Sequence, residues 1–493
     1  MDLPSDRRFL AICLPLLVVG MALALLRLGS QSLWLDESYT WWFTRLDWGD
    51  LLRAARIDAV NPPFYYLFVK AISSFRLGLT QGDPLSETAL RFPSVLAQLG
   101  GIAAAVFLGW QLTGWVGGLA AGLLWAAHPL TLWAARDARP YALSAALAAA
   151  VVGTFFYQRR SSSTSALIVA GIGLAIGLLT HYFFFVIAAA LVLLAGTDLR
   201  RSPTFFRQWT VVTLLALTPL AVWLIWFFST GSPSLGIGWI RTPLPGDIPL
   251  TLWNLASGYG GVADGGSTLF GLTVLAIAAA GLAGGRRGLW IKILLAGLAV
   301  PVVAVWVLSQ RRPVYVDRYF VVLLPFVAAL VALGAGAIVE WTGRWPLQRR
   351  RVFRVGTAAA FSLAALAAAS TVHATPKFDK EDWRGLTAFV QSQNVRTDSV
   401  SLSEPEIALP LSYYTGQPLV THLPALIPEC QGLCWWVLRQ PYTATHALTQ
   451  SVAEPGRASM PDVPPWCDQL DTWDSPTGVA AWKINCETEP TDE

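Results

Sequence analysis

Long apolar runs recur along this 493-residue chain and constrain its fold more than any other feature. A helix that crosses a bilayer satisfies its backbone polar groups internally and needs about 20 mainly apolar residues. Windows of that size lie near 9–27, 89–110, 116–135, 139–157, 165–180, 181–197, 209–229, 267–284, 289–309, 319–340 and 355–372. They predict a polytopic α-helical membrane protein with about eleven transmembrane helices. Only 13% of residues are charged, where a soluble domain carries about 25%, so an ordinary cytosolic enzyme is excluded. Mean hydropathy of +0.50 and 23 Trp agree with a membrane location. A formal charge of +4 is too small and too dispersed for a nucleic-acid partner. The first window follows Arg7 and Arg8 and runs from Phe9 to Leu26, beyond the ~7–15-residue core of a cleaved signal, so it reads as a retained helix.

Short loops rich in Lys and Arg stay in the cytoplasm. With Arg7 and Arg8 inside, alternation places Arg159/Arg160, Arg200/Arg201/Arg207, Arg286/Arg287 and Arg344/Arg349/Arg350/Arg351/Arg354 inside as well. The loop 28–88, the turn 136–140, the loop 230–266, the segment 310–318 and the tail from His373 to Glu493 then fall outside. The expected protein is thus a multi-pass protein of the plasma (inner) membrane, its N-terminus cytoplasmic and its C-terminal domain extracytoplasmic. Residues 1–372 form the membrane module, whose first outside loop, 28–88, carries interfacial helices; residues 373–493 form the outer domain.

That tail has a composition of its own. Lys377-Phe378-Asp379-Lys380-Glu381-Asp382-Trp383-Arg384 opens a helix-like stretch to about 393, with strands expected at Asp398–Ser403, Pro418–Thr421 and Val479–Ile484, which together predict a small α/β domain. Cys430, Cys434, Cys467 and Cys486 lie there, an even set that outside the cytoplasm suggests one or two disulfides, with three connectivities open. A zinc site with His373, His422 or His446 is the weaker alternative, because the cysteines do not form two close pairs. Cys13, inside the first window, reads as an inert buried thiol.

Chemistry should gather in the outside segments. Trp34-Leu35-Asp36-Glu37 sets two carboxylates at the membrane boundary directly after the first helix. Neighbours on a helix lie about 100° apart, so one carboxylate should act and the other support it. A carboxylate on apolar ground is a better proton acceptor near neutral pH, while the bland alternative is a solvated helix start favoured by the dipole. Arg136-Asp137-Ala138-Arg139 and Arg311-Arg312-Pro313-Val314-Tyr315-Val316-Asp317-Arg318 place guanidiniums on the outer face, where topology gives no reason for them. Either Asp137 and Asp317 neutralise the neighbouring arginines, or the planar guanidinium forks clamp phosphate. The Asn61-Pro62-Pro63-Phe64-Tyr65-Tyr66 stretch opens a surface helix that could wall a lipid-facing cleft. Glu87 and Arg91 bracket the next helix start, where dipole compensation and substrate contact both remain open. His181 and Tyr182 mark a bend between two spans, His181 more as a hydrogen-bonder than as a catalyst. Trp239, Arg241, Asn254 and Tyr259 either line an acceptor path or belong to a lid. A divalent cation could assist, but no ligand cluster assigns one.

Taken in order, Trp34-Leu35-Asp36-Glu37, Asn61-Pro62-Pro63-Phe64-Tyr65-Tyr66, Arg91-Phe92-Pro93, Ala135-Arg136-Asp137-Ala138-Arg139-Pro140-Tyr141, Thr180-His181-Tyr182, Arg318-Tyr319-Phe320 and Glu381-Asp382-Trp383-Arg384 resemble the ordered motifs of family-39-like membrane glycosyltransferases. That group includes protein O-mannosyltransferases and lipid A aminoarabinose transferases. The resemblance implies a GT-C fold and transfer of a sugar from a polyprenyl-phosphate-linked donor to an acceptor on the outer side. It implies a general base at Asp36 with Glu37 beside it, and donor phosphate bound by Arg136, Arg139, Arg311, Arg312 and Arg318. Asn61, Tyr65, Arg91, Asp137, Tyr141, His181, Tyr182 and Tyr319 follow as secondary substrate contacts. Asn61 stands where relatives often have His. The acceptor, whether glycolipid, polysaccharide or protein, is left open. A transporter or lipid flippase is the competing class, but it would keep ionisable groups near mid-bilayer, whereas here the spans are nearly charge-free. A sensor or assembly protein is the third, and it would make Asp36 and the outer arginines dispensable.

Overall fold

The computed structural model describes residues 6–58, 61–80, 86–229, 240–258, 265–374, 380–392, 400–402, 407–416, 432–439, 467–474 and 479–486. The chain begins with α1 (Asp6–Leu25) and then folds three shorter helices, α2 (Leu35–Arg45), α3 (Trp48–Asp58) and α4 (Phe64–Thr80), out of the first loop. The bundle continues through α5 (Glu87–Thr113), α6 (Trp115–Ala127), α7 (Pro129–Ala135), α8 (Tyr141–Ser161), α9 (Thr164–Thr180), α10 (Phe185–Gly196) and α11 (Pro203–Phe228). Its second half comprises α12 (Asp247–Ser257), α13 (Gly265–Ala280), α14 (Arg287–Lys292), α15 (Val300–Ser309), α16 (Leu324–Thr342) and α17 (Leu347–Ala374).

Every apolar window expected from the sequence falls on helix, 116–135 on both α6 and α7 and 289–309 from α14 to α15. Among the described residues eight helices are long and apolar enough to cross a membrane, and α6 with α7 makes a ninth if that pair, bent by 56°, is one span. The remaining two windows, Thr164–Thr180 and Tyr182–Gly196, are shorter apolar helices. The α6–α7 bend has a local cause. His128 leaves the helical path, its Nδ1 accepts the Leu130 amide at 3.2 Å, and Pro129 begins the next helix where its missing N–H costs nothing.

At the centre stands α16, whose 89%-buried apolar window contrasts with 22% for α1 and 28% for α11. Two glycine contacts let the backbones come together. Gly109 of α5 faces the Gly117 carbonyl of α6, and Gly334 of α16 faces the Ile277 carbonyl of α13; any Cβ would collide there. On the outside, Leu214, Leu215, Val222 and Ile225 of α11 and Val18 of α1 are more than half exposed, as suits a surface solvated by lipid tails.

Beyond α17 come α18 (Trp383–Ser392), β1 (Val400–Leu402), α19 (Ala408–Thr415), β2 (Gly432–Arg439), β3 (Cys467–Asp474) and β4 (Val479–Cys486). The four strands form one sheet in the order β1-β2-β4-β3, parallel between β1 and β2 and antiparallel elsewhere. Trp383, Leu386, Ile407, Leu411 and Val479 make its small core with the two helices. The register sets Cys467 opposite Cys486. The expected strand at Pro418–Thr421, Cys430, His422 and His446 lie outside the described residues. Strands β2 and β3 were not foreseen, because short runs such as Gly432–Arg439 lack a regular apolar/polar alternation.

Candidate active site

The acidic doublet sits in the first turn of α2, and adjacency on a helix sends its two side chains apart. Glu37 is fully buried. Arg91 reaches it from α5, donating from Nε to Oε1 at 2.7 Å and from Nη2 to Oε2 at 2.6 Å. The same guanidinium donates to the carbonyls of Leu28 (2.8 Å), Gln31 (2.9 Å) and Ser32 (2.8 Å), so all its five N–H groups are used. One arginine therefore fixes both the end of the first span and the start of α2.

Lys380 completes this hub from the segment after α17. Its ammonium lies 2.8 Å from Glu37 Oε1, 2.9 Å from Asp137 Oδ1 and 3.0 Å from the Arg136 carbonyl. Asp137 also accepts the Trp34 indole N–H at 2.8 Å, and the Ala138 amide donates to Glu37 Oε1 at 2.8 Å. Arg91, Lys380, Glu37 and Asp137 are thus two cations and two carboxylates sealed together. Burial alone would raise the Glu37 carboxyl, but Arg91 and Lys380 outweigh it and hold the group well below the usual carboxylate range. Burial pushes Asp137 up, against the pull of Lys380, and pushes Lys380 down, helped by Arg91.

Asp36 faces the other way and keeps 24% of its side chain exposed. Two guanidiniums converge on its Oδ2: Arg318 at 3.5 Å and Arg139 at 3.9 Å. Arg139 also donates to the Asp36 carbonyl at 3.1 Å and to the Tyr66 hydroxyl at 3.3 Å. Arg318 stands among the rings of Trp34 (5.3 Å), Tyr319 (5.8 Å) and Tyr141 (5.9 Å), where cation–π attraction holds a charge that water does not. Tyr141 stacks beside Tyr319, and the His181 ring packs 4.9 Å from Tyr319. Two guanidiniums against one carboxylate leave this cluster with a positive excess that suits an anion.

Arg318 owes its position to the residue before it. Asp317 accepts Thr251 Oγ1 at 2.8 Å and Asn254 Nδ2 at 3.0 Å, which ties α12 to the short 3-10 turn Asp317–Leu323. Among the described contacts Asp137 pairs with Lys380 and Trp34, and Asp317 with Thr251 and Asn254, whereas one reading of the sequence paired each with its neighbouring arginines. Asn254 braces this turn, and Arg241 pairs with Asp247 at 2.8 Å; Trp239 and Tyr259 lie outside the described residues.

Other expected site residues are placed less centrally. Arg136 donates to the carbonyls of Val372 (3.2 Å) and Arg27 (3.3 Å), holding the ends of α17 and of the first span together. Arg311 and Arg312 are exposed in the turn after α15, with no described ion pair to Asp36. Arg91 is consumed by Glu37. Tyr65 hydrogen-bonds Ser94 at 3.0 Å, Tyr182 accepts the Trp223 indole at 3.1 Å, His181 Nδ1 accepts the Phe183 amide at 3.1 Å, and Asn61 is buried ahead of α4. Among the described residues no three His, Cys, Asp or Glu side chains converge as a metal requires. Lys380 is a structural partner that sequence reasoning did not single out. Nothing local marks Lys380, since this segment meets α2 across 346 positions, where Glu381 Oε2 accepts the Leu35 amide at 3.1 Å.

The family described as dolichyl-phosphate-mannose-protein mannosyltransferase matches residues 61–226. No curated protein sequence matches the chain. Among solved structures, ArnT from Cupriavidus metallidurans in the apo state aligns with a TM-score of 0.59 at 12% identity, covering 95% of this chain and 97% of that one. ArnT bound to undecaprenyl phosphate gives 0.59 at 13% identity, covering 96% and 98%. Arabinofuranosyltransferase AftD from Mycobacteria gives 0.53 at 16% identity over 97% of this chain and 40% of that longer one. The chain has the GT-C fold of these membrane glycosyltransferases, as the order of its sequence motifs implied.

Proposed function

We propose that the protein is an integral-membrane glycosyltransferase that moves a sugar from a polyprenyl-phosphate donor to an acceptor hydroxyl or amine at the extracytoplasmic face. The observation that carries this reading is the convergence of Arg139 and Arg318 on a partly exposed Asp36, beside a carboxylate that is wholly buried. At 3.5 and 3.9 Å the two ion pairs are looser than a charge-assisted hydrogen bond of about 2.7–2.9 Å, so a phosphate can take over the guanidiniums and release the carboxylate.

Asp36 then accepts the acceptor's proton as its oxygen or nitrogen bonds to the anomeric carbon. The bond from that carbon to the phosphate oxygen breaks, its electron pair leaves with the polyprenyl phosphate, and Arg139 and Arg318 stabilise the charge that develops there. Attack opposite the phosphate inverts the anomeric centre. General-base catalysis contributes about 10²–10⁴-fold, and positioning with electrostatic stabilisation supplies most of the rest. Glu37, Arg91, Lys380 and Asp137 hold the turns that carry these groups.

Orientation follows the charge rule, with this site extracytoplasmic and the N-terminus cytoplasmic. The family matched over residues 61–226 and the undecaprenyl phosphate in the ArnT complex both support a polyprenyl-phosphate partner. The direct test is incubation of the purified protein with a panel of radiolabelled prenyl-phosphate sugars and glycolipid, polysaccharide or protein acceptors. Label should pass from at least one donor; a folded protein that binds these donors but transfers from none contradicts the reading.

A further inference from the structure

A second charged cluster faces a cavity of about 760 Å³ at the end of the bundle remote from Asp36. Helix α8 joins the two ends: Tyr141 opens it beside Arg318, Arg159 lies near its close, and its 21 residues span about 30 Å. Around the cavity stand Arg159, Arg200, Arg201 and Lys292, four cations against the carboxylate of Asp198.

Asp198 is buried and organises two of the four. Arg159 pairs with its Oδ2 from α8, and Lys292 lies 2.6 Å from its Oδ1, so their heads are fixed on facing walls. Arg200 and Arg201, on the exposed turn between α10 and α11, pair with no described carboxylate. The bias of basic residues toward cytoplasmic loops explains their presence. It does not explain a cavity in which a buried carboxylate presets two cations next to two more. Apolar side chains line the cavity with them: Leu199 is 45% exposed and Leu289 is half-buried.

We propose that this cavity binds a phosphate ester, namely the headgroup of an anionic phospholipid in the leaflet at this end of the bundle. The four cations hold the phosphate, and Leu199 and Leu289 take the first acyl methylenes. A soluble phosphate ester offers the same charge but leaves that apolar surface uncovered. Basic pockets between helices on the cytoplasmic side are suited to such headgroups, each Lys or Arg adding about 1 kcal/mol near a membrane surface, roughly a fivefold effect. The inference stands apart from the sugar-transfer reading, because none of its residues touches the Asp36 cluster.

Delipidated full-length protein titrated with phosphatidylglycerol and read by native mass spectrometry tests it. Arg200→Gln/Arg201→Gln should weaken binding roughly 25-fold. Arg350→Gln/Arg351→Gln, which removes the same charge from α17, should change it less than about twofold. Glycerol phosphate at millimolar concentration should fail to displace the lipid; displacement would keep the anion site but assign it to a soluble phosphate. Equal lipid affinity in the cavity variant and the unaltered protein overturns the proposal.

Discussion

Asp36 and Glu37 are neighbours in sequence yet occupy opposite electrostatic worlds. Glu37 is fully buried, balanced by Arg91 and Lys380, and bonded on both oxygens. Asp36 keeps a quarter of its surface and meets its arginines only loosely. A sealed cluster whose two cations and two carboxylates pair with one another holds backbone in place and does not leave a cation for an anionic ligand. An open cluster with a spare positive charge does. In the proposed reading the two acidic residues in a row are therefore not two catalysts: Glu37 fixes the scaffold and Asp36 is the base.

That contrast can be broken from its buried side. Arg91→Ala removes five hydrogen bonds and leaves Lys380 as the one cation facing both buried carboxylates, Glu37 and Asp137, so it should cost about 3–5 kcal/mol of stability, read as loss of folded protein in detergent thermal melts. Lys380→Met strips the hub of one cation while Arg91 remains. It should destabilise by about 2–3 kcal/mol, with Asp137→Asn in the same chain recovering part of that loss, measured as a double-mutant cycle of melting curves.

On the open side the expected effects fall on binding rather than on folding. Arg318→Ala should weaken undecaprenyl-phosphate binding by roughly tenfold or more in a titration while the melting curve hardly moves, since one charge-assisted contact is worth about 1.5–3 kcal/mol. Arg311→Ala/Arg312→Ala should change the same affinity less than about twofold, because these side chains are exposed. An Arg312 effect equal to that of Arg318 would redraw the phosphate site.

The membrane fold was legible because apolar length is a local property: all eleven windows, including the shorter α9 and α10, fell on helices. The order of short motifs pointed to the fold for a related reason, since each marks a helix end at one face of the bundle. The sequence pattern did not reveal the division of labour among the outer-face arginines. Whether Arg136 holds carbonyls or Arg139 holds a carboxylate depends on the geometry of one turn, and both read alike as outer-face arginines. Lys380 was still less visible, because its partners come from α2 and the 136–140 turn, distant in the chain. Long-range ion pairs are set by packing, and packing leaves no periodic trace.

Placing Asp36→Asn and Glu37→Gln side by side, with sugar transfer, undecaprenyl-phosphate affinity and melting temperature read on the same preparations, tests the central claim most directly. Asp36→Asn should keep its melting temperature and its affinity while transfer falls by at least about 100-fold, and Glu37→Gln should lose folded protein first. A normally folded Asp36→Asn protein that transfers sugar at the unaltered rate would contradict the account.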